Sequence, residues 1–459
     1  MLDVDTSPLE TLKASFSGEI LAPGDPGYDE ARRIHNGLID KRPAVIARCL
    51  STADVVDAVN VGRDQGLEIS VRGGGHNVAG KAVTDGGLMI DLSLMKGIHV
   101  DPVRQTVRAQ PGVLVGELDR ATAAFGLATP MGVVSSTGIA GLTLGGGLAW
   151  LMGRYGLAVD NLLSAEVVLA SGEIVTAGED ADVELFWALR GGGGNFGVVT
   201  SFEYRAHPVT SVLGGPVLHP LEAAPQLLSF YREFAAGLPD ELATQAAFLH
   251  APDGSGTKLC GVAVCHCGDD PQAAETQARP LREFGAPIAD MVARVPYPAI
   301  NTGLDWLFPK GTFDYWTSAF FEELSDAAIA AMVAAFERAP SDLCALVLED
   351  FHGAVTRVDP TSTAYPHRQP GFNLLVISSW REASETEAGI AWARDTFAAL
   401  GSYTAQRAYT NYLAADDHET RVRQAYGPNY ERLAALKRRY DPANLFHLNQ
   451  NIPPGQPAT

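Results

Sequence analysis

The residues best placed to do chemistry lie in three glycine clusters: Arg72 to Gly80 (RGGGHNVAG), Thr137 to Gly147 (TGIAGLTLGGG) and Arg190 to Gly197 (RGGGGNFG). Glycine lets backbone approach a ligand closely and adopt positive φ. In the first cluster the strand-like run LEISV leads into Arg72, Gly73, Gly74, Gly75, His76 and Asn77. Successive backbone N–H groups in such a loop form a nest for phosphate oxygens without needing a helix dipole. His76 then stands beside whatever the phosphates belong to. Taken alone, it would equally serve as a structural histidine in a tight turn.

The third cluster satisfies the G-x-G-x-x-G dinucleotide fingerprint over Gly192 to Gly197. That fingerprint works when a strand precedes it and a helix follows, so that the helix N-terminus meets a pyrophosphate. Here the helix-like VELFWALR comes before and the strand-like VVTSFEY after. The order is reversed, and a Rossmann site is rejected. Cys260, Cys265, His266 and Cys267 also cluster, but LCGVAVCHCG alternates like a strand and no second ligand pair lies nearby. Buried strand thiols are expected there, and no metal. In CALVLEDFHGAV, alternation puts Val347, Glu349 and Phe351 on one face and Leu348, Asp350 and His352 on the other. Trp306, Tyr315 and Trp316 form either an aromatic wall or ordinary core.

The elements that position these residues can be read from periodicity and punctuation. PAVIARCLS ends a strand, and TADVVDAVNVGRDQG reads as a helix capped by Ser51 or Thr52 and stopped at Gly66. GLMIDLS, GIHVDP and TVRAQPG are short β elements, LVGELDRATAAFG is a helix, and AEVVLASGEIVTAG is a hairpin around Ser171-Gly172. After about residue 210 the glycines thin out. Helices such as AAPQLLSFYREFAAG and DAAIAAMVAAFERAP then alternate with β-rich stretches such as TQAAFLHA and FNLLVISSW. That is an α+β pattern, an antiparallel sheet with helices on one side.

The chain has 459 residues, enough for two or three domains. Lys+Arg 34 against Asp+Glu 54 gives a net charge of −20, which repels polyanions and argues against nucleic-acid or anionic-membrane partners. No apolar run reaches the roughly 18 residues of a membrane span. The N-terminal MLDVDTSPLETLKASF lacks a basic segment followed by an apolar core, so a cytoplasmic location is expected. Five cysteines in this length do not make a disulfide framework.

RPAVIARC, ISVRGGGHNVAG, GVVSSTGIAGLTLGGG, YGLAVDNLLSAEVV, LFWALRGGGGNFGVVT and the terminal YDPANLFHLNQNI occur in a fixed order. This order resembles the berberine-bridge-enzyme-like branch of the vanillyl-alcohol-oxidase/p-cresol-methylhydroxylase flavoproteins, most strongly over residues 40–210 and 400–455. The bacterial look is that of 6-hydroxynicotine-oxidase-like and antibiotic-tailoring enzymes. The resemblance implies an α+β, two-domain, vanillyl-alcohol-oxidase-type fold: residues 1–208 bind FAD, 209–405 form an antiparallel-sheet substrate domain backed by helices, and 406–459 return to the FAD domain.

Residue by residue, the resemblance implies that the loop Arg72-Gly73-Gly74-Gly75-His76-Asn77, with Gly80, cradles the FAD pyrophosphate, and that His76 is joined covalently to the flavin. Relatives with a second link carry a cysteine where Val134 stands, so a single link through His76 is implied. Thr137 matches a position controlling oxygen access, where a small residue goes with oxidase behaviour. Ser135, Gly138, Gly141, Leu142, Gly146, Asn161, Gly197 and Val198 match FAD-lining positions. Asn449 and Asn451 match terminal amides that close over the cofactor, and Asn411 matches an amide that can bond the flavin. On the substrate side, removal of hydride from a C–H bond needs a group to take the neighbouring O–H or N–H proton. Glu349 aligns best with that role, Asp350 or His352 next; Tyr409 and Tyr412, in Y-x-N-Y, match phenols over the flavin. In plant relatives a carboxyl or amide precedes a tryptophan by five residues; before Trp380 that position is Leu375.

The implied enzyme is an FAD-dependent oxidoreductase that oxidises an alcohol or amine of a small or medium natural-product-like substrate, with O2 as acceptor giving H2O2. A dehydrogenase using another acceptor, or a non-catalytic flavin-binding protein, are the alternatives.

Overall fold

A computed structural model describes residues 12–13 and 15–455; most of the N-terminal stretch read for a leader lies outside the described residues. Local signals act where the sequence puts them. Ser51 caps the helix Thr52–Asp64, accepting from the Asp54 N–H, while the Asp54 side chain accepts from the Ser51 N–H. The hairpin Leu162–Val168/Ile174–Gly178 turns over Gly172 at φ 85°.

Three sheets position the site. In the first, Glu19–Leu21, Val45–Arg48, Leu88–Asp91 and Ile69–Arg72 lie in that order, the last three parallel. Its strand Ile69–Arg72 runs straight into the first glycine cluster. The second sheet is antiparallel, in the order Ile98–Asp101, Thr106–Ala109, Val198–Arg205, Leu162–Val168, Ile174–Gly178.

The third sheet has eight strands. Along its path lie Ala289–Asp290, Ser211–Pro220, Lys258–His266, Leu242–His250, Ala345–Phe351, Gly371–Trp380 and Phe313–Phe321, with Ala293–Pro296 also on Ser211–Pro220. The pairings along it are antiparallel. Helices Ala224–Ala235, Pro271–Arg282, Asp326–Phe336 and Thr386–Leu400 cover one face, sharing a core with Leu346, Leu348, Leu374 and Val376. The intervening Val347, Glu349 and Leu375 face a cavity. The two-residue period of a strand makes that division.

Ser211–Pro220 carries little strand signal in sequence because Gly214, Gly215 and Pro216 interrupt it. A Cβ on Gly215 would lie 2.3 Å from the Met291 carbonyl oxygen, so neighbouring backbone needs the space. The helices Glu419–Tyr426 and Tyr430–Tyr440 put Val422, Tyr426, Leu433 and Tyr440 into a core shared with Val107, Val167, Phe202 and Tyr204 of the second sheet. All five cysteines are unpaired and buried; Cys260 packs in the helix-side core, Cys265 and Cys267 in another cluster.

Candidate active site

A cavity of about 340 Å³ opens between the glycine clusters and the bare face of the eight-stranded sheet. That is within the roughly 300–1,000 Å³ usual for ligand and cofactor sites. Gly73, Gly74, Gly75, His76 and Asn77 line it, with Val134, Thr137, Gly138, Gly141 and Leu142 from the second cluster. Gly193, Gly194, Gly197 and Val198 join from the third, and Asn411 and Asn449 from the C-terminal segment. The reversed order around Gly192–Gly197 holds: helix Val183–Leu189 precedes and strand Val198–Arg205 follows.

The glycines leave room of two kinds. At Gly74 a Cβ would lie 2.5 Å from Gly138 Cα, so there the two loops touch backbone to backbone. At Gly141 a Cβ would meet nothing within 4 Å, and at Gly194 only the Asn449 amide at 3.9 Å. A side chain at either position would project into the cavity, which is what a backbone cradle for a bulky group requires.

His76 is half-buried, but its Nε2 is shielded from solvent and has no hydrogen-bond partner. Burial, with His35 beside it, drives its pKa down to about 3, so the imidazole is neutral at pH 7. His35 stacks on it with ring centroids 4.2 Å apart, and Trp316 stands 6.1 Å away. His35 has no signal in the sequence: it lies 41 residues upstream, and its N–H bond to the Gly75 carbonyl ties one loop to the other.

Opposite stands Glu349. Its two oxygens accept from Tyr412 Oη (2.9 Å) and Asn373 Nδ2 (2.6 Å). Burial pushes its carboxyl up to about 7, against the pull of those two donors. Tyr409 Oη accepts from the Gly147 N–H and from Asn411 Nδ2, both at 2.9 Å, and its ring meets that of Tyr412 edge-on at 4.8 Å. Asn77 Nδ2 donates to the Asn411 carbonyl, tying the first glycine loop to this group. A neutral imidazole, a buried carboxyl of raised pKa and two phenols therefore share one cavity.

Asp350 lies on the opposite face, hydrogen-bonded to His352, whose Nε2 faces the Pro239 carbonyl; neither lines the cavity. Of the aromatic trio, Trp316 lines it, joined by Phe308 at 5.6 Å. Alternation turns Tyr315 away, to Asp416 and Arg394, and Trp306 is 42% exposed.

Several expected cofactor residues stand off the cavity wall. Arg72 turns back to donate to the Ala31 carbonyl, 3.8 Å from Asp91. Gly80 packs on Ile39, and Gly146 on Tyr365. Both Ser135 groups, N–H and Oγ, donate to Asp305. Asn161 donates to the Tyr155 and Leu157 carbonyls and faces His207 with its oxygen. Asn451 keeps a buried Oδ1 without a partner, next to the wall residue Gln450. None of these six residues lines the cavity. Gln245, directly across from Glu349 in the sheet, is on the wall and was not anticipated, because sheet register is not legible in one strand.

A family model described as FAD binding domain matches residues 43–178, and one described as Berberine and berberine like matches 408–453. (R)-6-hydroxynicotine oxidase of Paenarthrobacter nicotinovorans is 33% identical over 478 residues, covering 96% of this chain and 97% of that protein. An FAD-linked oxidoreductase of Dictyostelium discoideum is 30% identical, covering 96% of both chains. Among solved structures, 6-hydroxy-D-nicotine oxidase from Arthrobacter nicotinovorans matches with TM-score 0.88 at 33% identity, over 96% of this chain and 99% of that one. A chitooligosaccharide oxidase matches at 25% identity with TM-score 0.85, over 98% and 99%. The chain belongs to the berberine-bridge-enzyme-like family of the vanillyl-alcohol-oxidase/p-cresol-methylhydroxylase superfamily. It is an FAD-linked oxidoreductase.

Proposed function

We propose that this enzyme is an oxidase that holds FAD through one covalent bond to His76 and takes hydride from an alcohol or amine carbon of a small, natural-product-like substrate. In this reading residues 1–208 and 406–459 bind the cofactor, and 209–405 form the roof that receives the substrate. The carrying observation is that one cavity is walled both by the glycine cradle around His76 and by the buried Glu349. The open space in front of Gly141 and Gly194 and the unpartnered His76 Nε2 fit a bulky group bonded there. FAD, when bound, supplies the two-electron acceptor for a C–H hydrogen.

The chain's own residues do the rest. His76, kept neutral by burial, offers a lone pair for the bond. The loops at Gly73–Gly75 and Gly138–Leu142 approach with bare backbone, and Asn411 and Asn449 bring amides to the wall. Glu349 takes the proton from the substrate O–H or N–H, its carboxyl poised near neutrality for that purpose. Tyr412 holds the Glu349 carboxyl, and Tyr409, pinned by two N–H donors, orients the opposite side. Val134 stands in place of a second covalent link, and the small Thr137 on the wall leaves O2 a path.

Acid precipitation of the purified, FAD-loaded protein tests this. Yellow flavin should stay with the wild-type pellet and leave with the supernatant in His76→Ala. Free flavin from the wild type removes the covalent role. Turnover in air should release H2O2; reoxidation by a dye but not by O2 removes the oxidase assignment.

A further inference from the structure

Two helices from distant parts of the chain meet on one buried polar contact. The helix Val115–Ala123 carries the loop before the second glycine cluster, its Val115 and Gly116 N–H groups donating to the Thr137 and Ser135 carbonyls. The helix Tyr297–Thr302 begins a strap that runs on to Gly311. Leu304, Leu307 and Phe308 of the strap wall the cavity, as do Val134 and Thr137 of the loop. Asp305 ties strap to loop by accepting from the Ser135 N–H and Oγ. At its far end the strap is pinned by the Gly311 N–H on the His35 carbonyl. At its near end the side-chain tie is Asp119 with Asn301.

Asp119, Asn301 and Tyr297 are all buried. Asn301 Nδ2 donates to Asp119 Oδ2 at 2.7 Å. The other oxygen of each group, Asp119 Oδ1 and Asn301 Oδ1, has no hydrogen-bond partner, and neither has Tyr297 Oη one helical turn away. Carboxylate and amide oxygens only accept, so two bare ones on joined groups leave the contact half made. A proton on Asp119 Oδ1 completes it. The acid O–H then donates to the Asn301 oxygen, and acid and amide close a ring of two hydrogen bonds. Burial acts in the same direction, raising the Asp119 carboxyl from 3.8 to about 7 against the pull of Asn301.

Among the described residues no cation acts on this carboxyl. On its own helix Glu117 pairs with Lys96 at the surface, and Arg120 is exposed. On the strand Ile98–Asp101, packed against that helix, His99 is exposed and Asp101 holds the Val103 and Arg104 N–H groups. The neighbouring Leu127–Ala128 brings no titratable group. Arg294, from the strand beside the strap helix, is exposed and donates to Ser211. The groups that do face the cluster are Tyr297 and the thiols of Cys265 and Cys267, and burial keeps all three protonated well past neutral pH. Asp119 is therefore the group whose charge changes at this contact.

We propose that Asp119 and Asn301 form a proton-operated clasp: the protonated acid holds the strap Tyr297–Gly311 shut against the second glycine cluster, and loss of the proton lets this wall of the cavity open. The clasp works whatever reaction the cavity performs. A neutral acid closes on the amide without penalty, whereas an ionised carboxylate must be buried there with no cation to offset it. Once the strap is open, the carboxyl meets water and returns to its ordinary value of 3.8. Opening therefore releases a proton at any pH above that value. The opening constant rises about tenfold per pH unit between about 4 and 7, then levels off. Ligands exchange faster on the alkaline side and are held longer on the acid side.

Amide hydrogen exchange on the FAD-loaded enzyme reads the strap through the N–H groups of Gly303, Leu307 and Phe308, and the loop through Thr137; each is bonded within its own segment. Corrected for the chemical exchange rate, their opening constants should rise about thirtyfold from near pH 5.5 to near pH 8.5. Small additions of urea should change them little, because local opening exposes little surface. Asp119→Asn keeps the ring as an amide pair with nothing to titrate. Its strap should stay as closed near pH 8.5 as that of the wild type near pH 5.5. Asn301→Ala removes the other half of the ring and should open the strap about tenfold further near pH 5.5. A wild-type strap whose opening ignores pH, or a pH response that survives in Asp119→Asn, overturns the proposal. So does an Asn301→Ala strap as closed as the wild type, or a urea dependence as steep as that of global unfolding.

Discussion

Glu349 and Asp350 are adjacent carboxylates in one strand, and a single step of alternation gives them different lives. Asp350 turns outward from the cavity into a pair with His352, whereas Glu349 is held by two neutral donors over the cavity. Alternation was legible in CALVLEDFHGAV, and so was His76 in its glycine loop. His35, Asn373 and Gln245 were not, since each reaches the site through pairing with a distant segment. The raised carboxyl has a consequence for stability. Its value moves from 4.5 to about 7 on folding, so the unfolded chain ionises first. Below pH 4.5 there is no cost; between 4.5 and 7 the cost grows, and above 7 it is complete, on the order of 3 kcal/mol. Glu349→Gln should therefore raise the melting temperature at pH 8, change it little near pH 4.5, and abolish turnover. Calorimetry at the two pH values checks this; equal shifts at both would mean that the carboxyl is not held out of water.

At the scale of elements, glycine does two jobs that sequence cannot separate. Gly74 and Gly138 are glycine because two loops meet backbone to backbone, whereas Gly141 faces open cavity. The second cluster contains the helix Ile139–Leu144, which holds Gly141 in its interior despite glycine's poor helix propensity. Strand Phe313–Phe321 was hidden as well: its aromatics suggested a wall, and the strand period splits them, Trp316 inward and Tyr315 outward. The two glycine roles predict opposite outcomes. Gly141→Val should fold with a loss within about 1 kcal/mol, yet fail to retain FAD because the new side chain occupies the cradle. Gly138→Ala should lose fold stability itself, its Cβ standing 2.5 Å from the Gly74 nitrogen. Melting of the flavin-free proteins, beside absorbance near 450 nm after incubation with FAD, separates the two; a flavin-loaded Gly141→Val would show that the cradle lies elsewhere.

Over the whole molecule, the first strand of the eight-stranded sheet starts at Ser211, close to where glycine thins in the sequence. What no composition shift announces is how the C-terminal segment is locked to the third glycine cluster. Lys437, fully buried, gives its three protons to the Asn195 carbonyl, the Phe446 carbonyl and Asp441. Asp441 in turn accepts from the Leu445 and Phe446 N–H groups. One ammonium therefore joins the last long helix, the third glycine cluster and the turn that carries Asn449 to the cavity. Every donor is satisfied, so the cost of desolvating the pair is offset only while both partners are present. Lys437→Met leaves a buried carboxylate and two carbonyls without their partner, and should cost about 3–5 kcal/mol. The variant should also release FAD more readily, because Gly194 and Asn449 lose their common anchor. Adding Asp441→Leu should recover much of the stability but not the cofactor affinity, since the tie to Asn195 stays broken. Denaturant midpoints for the single and double variants, paired with FAD titrations, test both halves. A single variant that unfolds with the wild type would show that the packed helices alone close the molecule.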